Sequence, residues 1–157
     1  MSDKDDKLHE LDTAYNQFRE LIEHLPNDAY EEQWLGDWSL RHVLAHMSGW
    51  WREMVPAFER VANGERPVPE GVSYDNADAW NEQFAAEPMP ASEALTDWDN
   101  AFHSYRAAAS QLSEEVYGVD PAKGRPRIGD RLLGASGIDH LHEHYDQVKR
   151  WVESRAG

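Results

Sequence analysis

The chain has 157 residues, enough for one domain with a substantial core and too few for two ordinary ones, so a single domain over residues 1–157 is expected. Hydrophobic residues make up 40% and aromatic residues 11%, with seven Trp, which excludes the apolar-poor composition of a disordered chain. Fifteen Lys and Arg against 30 Asp and Glu give a formal net charge of −15, a surface that repels phosphate backbones and anionic headgroups and so excludes nucleic acid and membrane as partners.

There is no cysteine, which removes disulfides, thiolate metal sites and a protein-borne nucleophilic thiol together. The opening MSDKDDKLHE lacks a basic stretch followed by an apolar one, and no apolar run approaches membrane-spanning length. A cytoplasmic protein is expected.

Apolar residues recur with the helical period, and no segment alternates like a strand, so the expected class is all-α. The first helix is predicted over Lys4–Leu25, with Leu8, Leu11, Tyr15, Phe18, Ile22 and Leu25 on one stripe and Pro26 ending it. The second is predicted over Leu40–Ala62, capped by Ser39, with Val43, Met47, Trp50, Met54, Phe58 and Val61 facing inward. Pro56 should kink or interrupt it. Residues 63–92 form a long crossover around a short helix, Asn76–Ala86, placed to cover one mouth of a bundle. The third bundle helix is predicted over Ser92–Leu112, with Leu95, Trp98, Phe102, Tyr105, Ala109 and Leu112 inside. Tyr117–Ala135 is expected to be irregular, and a fourth helix should start at Ser136, in a Ser-Gly-Ile-Asp capping box, and reach Arg155. The architecture expected is an antiparallel four-helix bundle with a long crossover between its second and third helices.

Eight histidines divide by helical face. On the last helix Ile138, Leu141, Tyr145, Val148 and Val152 form the apolar stripe, and His140, His144, Gln147 and Trp151 form a second stripe about 110° away. His142 falls on the charged arc, so His140 and His144 are the inward pair; their i, i+4 spacing stacks two imidazoles within reach of one ion. On the second helix His46 lies about 80° from the apolar centre, whereas His42 lies farther round, beside Glu53 and Arg60. His9, His24 and His103 fall off the apolar stripes. Three inward imidazoles need either a metal or hydrogen-bond partners, and on spacing alone both readings stand.

The segments WSLRHVLAHMSGWW (38–51) and IDHLHEHYDQVKRW (138–151) resemble those of the DinB/YfiT-like superfamily over essentially the whole order of helices. That resemblance implies a four-helix bundle in which His46 matches a metal-binding position near the start of the second helix, and His140 and His144 match the pair on the last. It also implies S-transferase or hydrolase-like chemistry on a small electrophile, in some relatives with a low-molecular-weight thiol such as bacillithiol or mycothiol.

Three neutral imidazoles leave coordination positions open for water or substrate. Nitrogen donors suit Zn, Ni, Fe or Cu, and a protein without cysteine would take any thiol as a cosubstrate. Trp50, Gln147 and Trp151 are expected to wall a substrate pocket. The partners expected are a small-molecule substrate and, as an assembly, a homodimer. A non-catalytic module that binds or sequesters small molecules is the alternative, and a purely structural metal clasp is the third reading.

Overall fold

The structure, a computed structural model, describes residues 2–156. Helix α1 runs over Asp3–Ile22, with the Ser2 hydroxyl accepting from the Asp5 N–H at 3.1 Å and three aspartates in its first turn, where the helix dipole favours them. It stops three residues before the expected end. The Leu25 N–H already bonds Ile22 O in a tightened turn, because the residue before Pro26 is pushed out of the helical region. A 3₁₀ turn, Asn27–Glu31, buries Ala29 and Tyr30, and the Tyr30 hydroxyl donates to Ile22 O at 3.1 Å.

Helix α2 spans Leu40–Ala62, as the periodicity predicts. It is neither interrupted nor ended at Pro56. Both Pro56 and Arg52, whose carbonyl loses its partner, are exposed, so water can satisfy that group. Trp51, not counted among the inward residues, is fully buried, while Trp50 and Val61 are only partly so.

The crossover holds helix α3, Ala77–Ala85, with the Asn76 side chain accepting from the Ala79 N–H. Helix α4 spans Ala91–Ser110 and packs extensively along α2. Its Trp98, Phe102 and Tyr105 join Tyr15, Trp51 and Phe58 in a continuous aromatic core, in which Tyr15 and Phe102 stack at 3.8 Å. Leu95, expected inside, is half-buried. Two ion pairs tie α1 to α4: Arg19 with Asp99 at 3.0 Å and Arg106 with Asp12 at 2.7 Å.

The segment expected to be irregular is partly ordered. Strands β1, Val119–Asp120, and β2, Arg125–Pro126, form a small antiparallel hairpin, followed by helix α5, Ile128–Leu133. A π-turn, Gly134–Ile138, then leads without a break into α6, Asp139–Ala156. Ser136 is therefore not an N-cap. The helix is already under way, and the Ser136 hydroxyl donates back to Leu132 O at 2.7 Å while meeting the Tyr105 hydroxyl at 2.6 Å. A side chain on Gly137 would fall 2.8 Å from both Leu11 Cδ1 and Tyr105 Oη, so the π-turn packs tightly on α1 and α4. The class is all-α, and no helix among the described residues is long and apolar enough to cross a membrane.

Candidate metal centre

His46 stands on the second turn of α2, and His140 and His144 stand one turn apart at the start of α6, directly after the π-turn. The three rings converge: their centroids are 4.8 Å apart for His46 and His140, 4.7 Å for His46 and His144, and 4.9 Å for His140 and His144. His46 and His144 are 2% and 8% exposed, which places the cluster inside the protein rather than on its surface. One nitrogen from each ring lies within 4.8 Å of the others, positioning the three histidines where they could hold a single ion.

Two of the rings are oriented by their other nitrogen. His46 Nδ1–H donates to Val43 O at 2.6 Å, and His144 Nδ1 meets Gln147 Oε1 at 2.8 Å. A neutral imidazole has only one N–H, so on His46 the Nε2 lone pair is left facing into the cluster. It meets His140 Nε2 at 2.9 Å, where the His140 N–H donates to it in the absence of an ion.

Protonation is opposed by the surroundings. Burial, followed by the charges that His140 and His144 would carry, pushes His46 down to about 2. Burial and then His144 push His140 down to about 3. Burial also lowers His144, against the raising effects of Gln147 and Glu143. The cluster is thus neutral near pH 7, the state in which imidazole binds a metal. An all-nitrogen donor set with two of its rings held by outer hydrogen bonds suits a divalent transition ion and leaves positions open on it.

His42 is occupied elsewhere. Its Nδ1 accepts the Ser39 N–H at 3.0 Å, so it takes the place that Glu or Gln holds in a capping box. His142 is exposed on α6, as are His9 on α1, His103 on α4 and His24 in the turn after α1.

The three expected pocket residues divide between two cavities. Trp50 lines a cavity of about 370 Å³ beside His140, between α2, α3 and the π-turn. Gln147 and Trp151 line another, of about 420 Å³, with Trp34 and Leu35, and Trp151 stacks on Trp34 at 4.9 Å. A third cavity, about 380 Å³, lies between Gly49, Phe84 and Asp97 and includes none of the histidines.

Sequence reasoning missed the contact of Gln147 with His144, although the i, i+3 spacing on one stripe signals it. It also missed Trp38, whose ring is 5.0 Å from His46. A tight turn with Gly36 at φ 59° and a Leu35–Trp38 bridge folds Trp38 back there, and the helical period carries no signal for that.

Several solved structures share the fold. The structure titled Sibling Lethal Factor Precursor DfsB superposes with a TM-score of 0.77 at 14% identity, covering 99% of this chain and 97% of that one. A protein from Streptococcus pneumoniae gives a TM-score of 0.77 at 13% identity over 98% of this chain and 91% of that one. The mycothiol-dependent maleylpyruvate isomerase gives 0.70 at 14% identity, covering 92% of this chain and 60% of that longer one. Among functionally curated proteins none matches the sequence. Residues 10–148 match the DinB superfamily, and with the bundle and its converging histidines in place, the chain belongs to that superfamily.

Proposed function

We propose that His46, His140 and His144 hold one divalent transition metal, Zn, Ni or Fe, and that the protein is a metal-dependent enzyme acting on a small electrophilic substrate. The observation that carries this reading is the convergence of three largely buried imidazoles, with one nitrogen of each within 4.8 Å of the others and the Nε2 atoms of His46 and His140 2.9 Å apart. An ion bound there would take the place of the proton that His140 shares with His46, in rings that are already neutral.

When bound, such an ion supplies Lewis acidity, polarising an electrophile and lowering the pKa of a coordinated water or thiol. The protein's own residues do the rest. Val43 fixes the tautomer of His46, Gln147 orients His144, and Trp38 packs beside the His46 ring. The cavity beside His140 gives a small molecule access to the cluster. A low-molecular-weight thiol as cosubstrate fits a chain without cysteine, and one structural neighbour is mycothiol-dependent. A cytoplasmic setting, where such thiols stay reduced, fits the same reading. So does action as a monomer or as a homodimer, since the cluster is built within one chain.

The alternative is a module that binds small molecules in the same cavity without turnover. Incubating the zinc-, nickel- and iron-loaded protein with epoxides, activated esters and Michael acceptors, with and without added thiol, separates the two. Metal-dependent product formation is expected. Saturable binding with no product from any electrophile under any metal would favour the binding module.

A further inference from the structure

Nearly all the polar capacity of the cavity beside His140 is already used. Trp50 Nε1–H donates to Asn81 Oδ1 at 2.6 Å, and the Tyr74 hydroxyl to Glu53 at 3.0 Å. The Ser136 hydroxyl is held by Leu132 and Tyr105, and its carbonyl accepts Trp51 Nε1–H at 3.0 Å. Met54, Ala77 and Ala135 contribute only apolar surface. Two polar features are left for a ligand: the side-chain N–H₂ of Asn81, whose oxygen is committed to Trp50, and the Nε2 edge of His140 with any ion there.

Two aromatic side chains, Trp50 and Tyr74, line the cavity, meeting edge-on at 5.4 Å. They are held in place by Phe84, 5.3 Å from Trp50, and Trp80, 5.0 Å from Tyr74, neither of which lines it. The polar tips of Trp50 and Tyr74 are both hydrogen-bonded, so ring surface is presented without the cost of ordering loose side chains.

The charge around the cavity is one-sided. No Lys or Arg lines it, and Tyr74, which does, is bonded to Glu53. A carboxylate ligand would lose water against the apolar walls with no lining cation to replace it, close to an acidic side chain. A cationic ligand would face a donor amide and, in the loaded protein, a divalent ion.

We propose that this cavity is the substrate pocket of the histidine centre and that it selects an uncharged, flat, apolar molecule with a hydrogen-bond acceptor directed at Asn81. The proposal rests on the histidine cluster being functional only for the chemistry that follows binding. Entry of such a molecule into the pocket does not require the metal.

The test uses a matched pair of probes, 2-naphthamide and 2-naphthoate, titrated into the full-length protein both metal-free and zinc-loaded. Binding is read from the indole N–H resonance of Trp50, identified with a Trp50→Phe sample. The amide should shift that resonance in both preparations, and the carboxylate should bind the metal-free protein at least about threefold more weakly, because no lining cation replaces the water its charge loses. Asn81→Asp keeps an acceptor for Trp50 but removes the donor, and should weaken the amide by about threefold to tenfold, the worth of one hydrogen bond. Circular dichroism of that variant, with its Trp50 resonance in place, shows whether the pocket is still folded, and Asn81→Ala should weaken the amide in the same direction.

Equal binding of the two probes, a preference for the carboxylate without metal, or no response at Trp50 would overturn the proposal. Amide binding by metal-free protein stands even if the histidines take no zinc. Zinc bound with neither probe binding refutes the pocket alone.

Discussion

Replacing Gly49 by alanine should loosen the crossover helix from the bundle. A Cβ at Gly49 would lie 2.3 Å from Phe84 Cγ, 2.4 Å from its Cδ1 and 2.6 Å from its Cβ. Ordinary carbon contacts begin near about 3.5 Å, so all three overlap by roughly an ångström. Rotating the ring clears the first two atoms but not the Phe84 Cβ, which is fixed to the backbone, so α3 itself must move. Overpacking of this kind costs about 1–3 kcal/mol, and the gain in helix propensity from Gly to Ala returns about 1 kcal/mol, leaving a net loss of up to about 2 kcal/mol. In a chain of 157 residues each kcal/mol corresponds to about 2–4 °C in melting temperature, so the variant should melt up to about 8 °C lower. Gly134→Ala is the control, since nothing lies within 4 Å of its Cβ position, and it should hold or raise the melting temperature by a few degrees. Differential scanning calorimetry on both variants decides it. If Gly49→Ala melts above the wild type, the close packing of α3 on α2 is misplaced, and the cavity wall built on Trp50 and Asn81 goes with it.

Acidification should destabilise the metal-free protein. The folded values of His46, about 2, and His140, about 3, lie below the ordinary 6.5, so the unfolded chain takes up protons first as pH falls. Stability is therefore full above about pH 6.5 and declines below it, and denaturant midpoints that stay level from pH 7 to pH 5 would contradict the burial of the cluster. The same metal-free protein should keep its helical circular dichroism at pH 7 and melt cooperatively, because the aromatic core rather than an ion holds the bundle. Pro56→Ala should stabilise by up to about 3 kcal/mol, by restoring a donor for the Arg52 carbonyl in a helix that already runs through that position. A lower melting temperature would show that the proline shapes α2 after all. Asp99→Ala removes the acceptor shared by Arg19 and the Tyr15 hydroxyl, at a carboxylate 19% exposed, and should cost about 1–3 kcal/mol in urea unfolding. Additivity with Arg19→Ala in a double-mutant cycle would count against that linkage.

How much of this was legible in the sequence depended on whether the signal was local. The bounds of α2 were, because Ser39 caps it and its apolar period is unbroken. So were His140 and His144, since i, i+4 spacing on one helix does not depend on how that helix begins. His46 over His42 rested on a single helical step, and the capping bond of His42 to Ser39 supplies a reason that periodicity lacks. Trp50 and Trp51 stand about 100° apart, both near the edge of the apolar face, so the period could not tell which was core. The stacking of Trp98, Phe102 and Tyr105 around Trp51 decides it from another helix. The π-turn was illegible because its widened register is stabilised by Leu11, Tyr105 and Trp51, all distant in sequence. A serine followed by a glycine before an apolar run reads as a cap when those partners are unseen.

The central claim is that three histidines, and not their neighbours, hold one ion, and metal content measured by elemental analysis after loading and desalting tests it most directly. The samples are the wild type, His46→Ala and His140→Ala from the cluster, His42→Ala from the α2 cap, and His142→Ala from the exposed face of α6. The wild type and the last two variants should carry about one divalent ion per chain, and the first two should retain little. Equal loss of metal in His42→Ala and His142→Ala, or full occupancy in His46→Ala, would contradict the convergence on which the account is built.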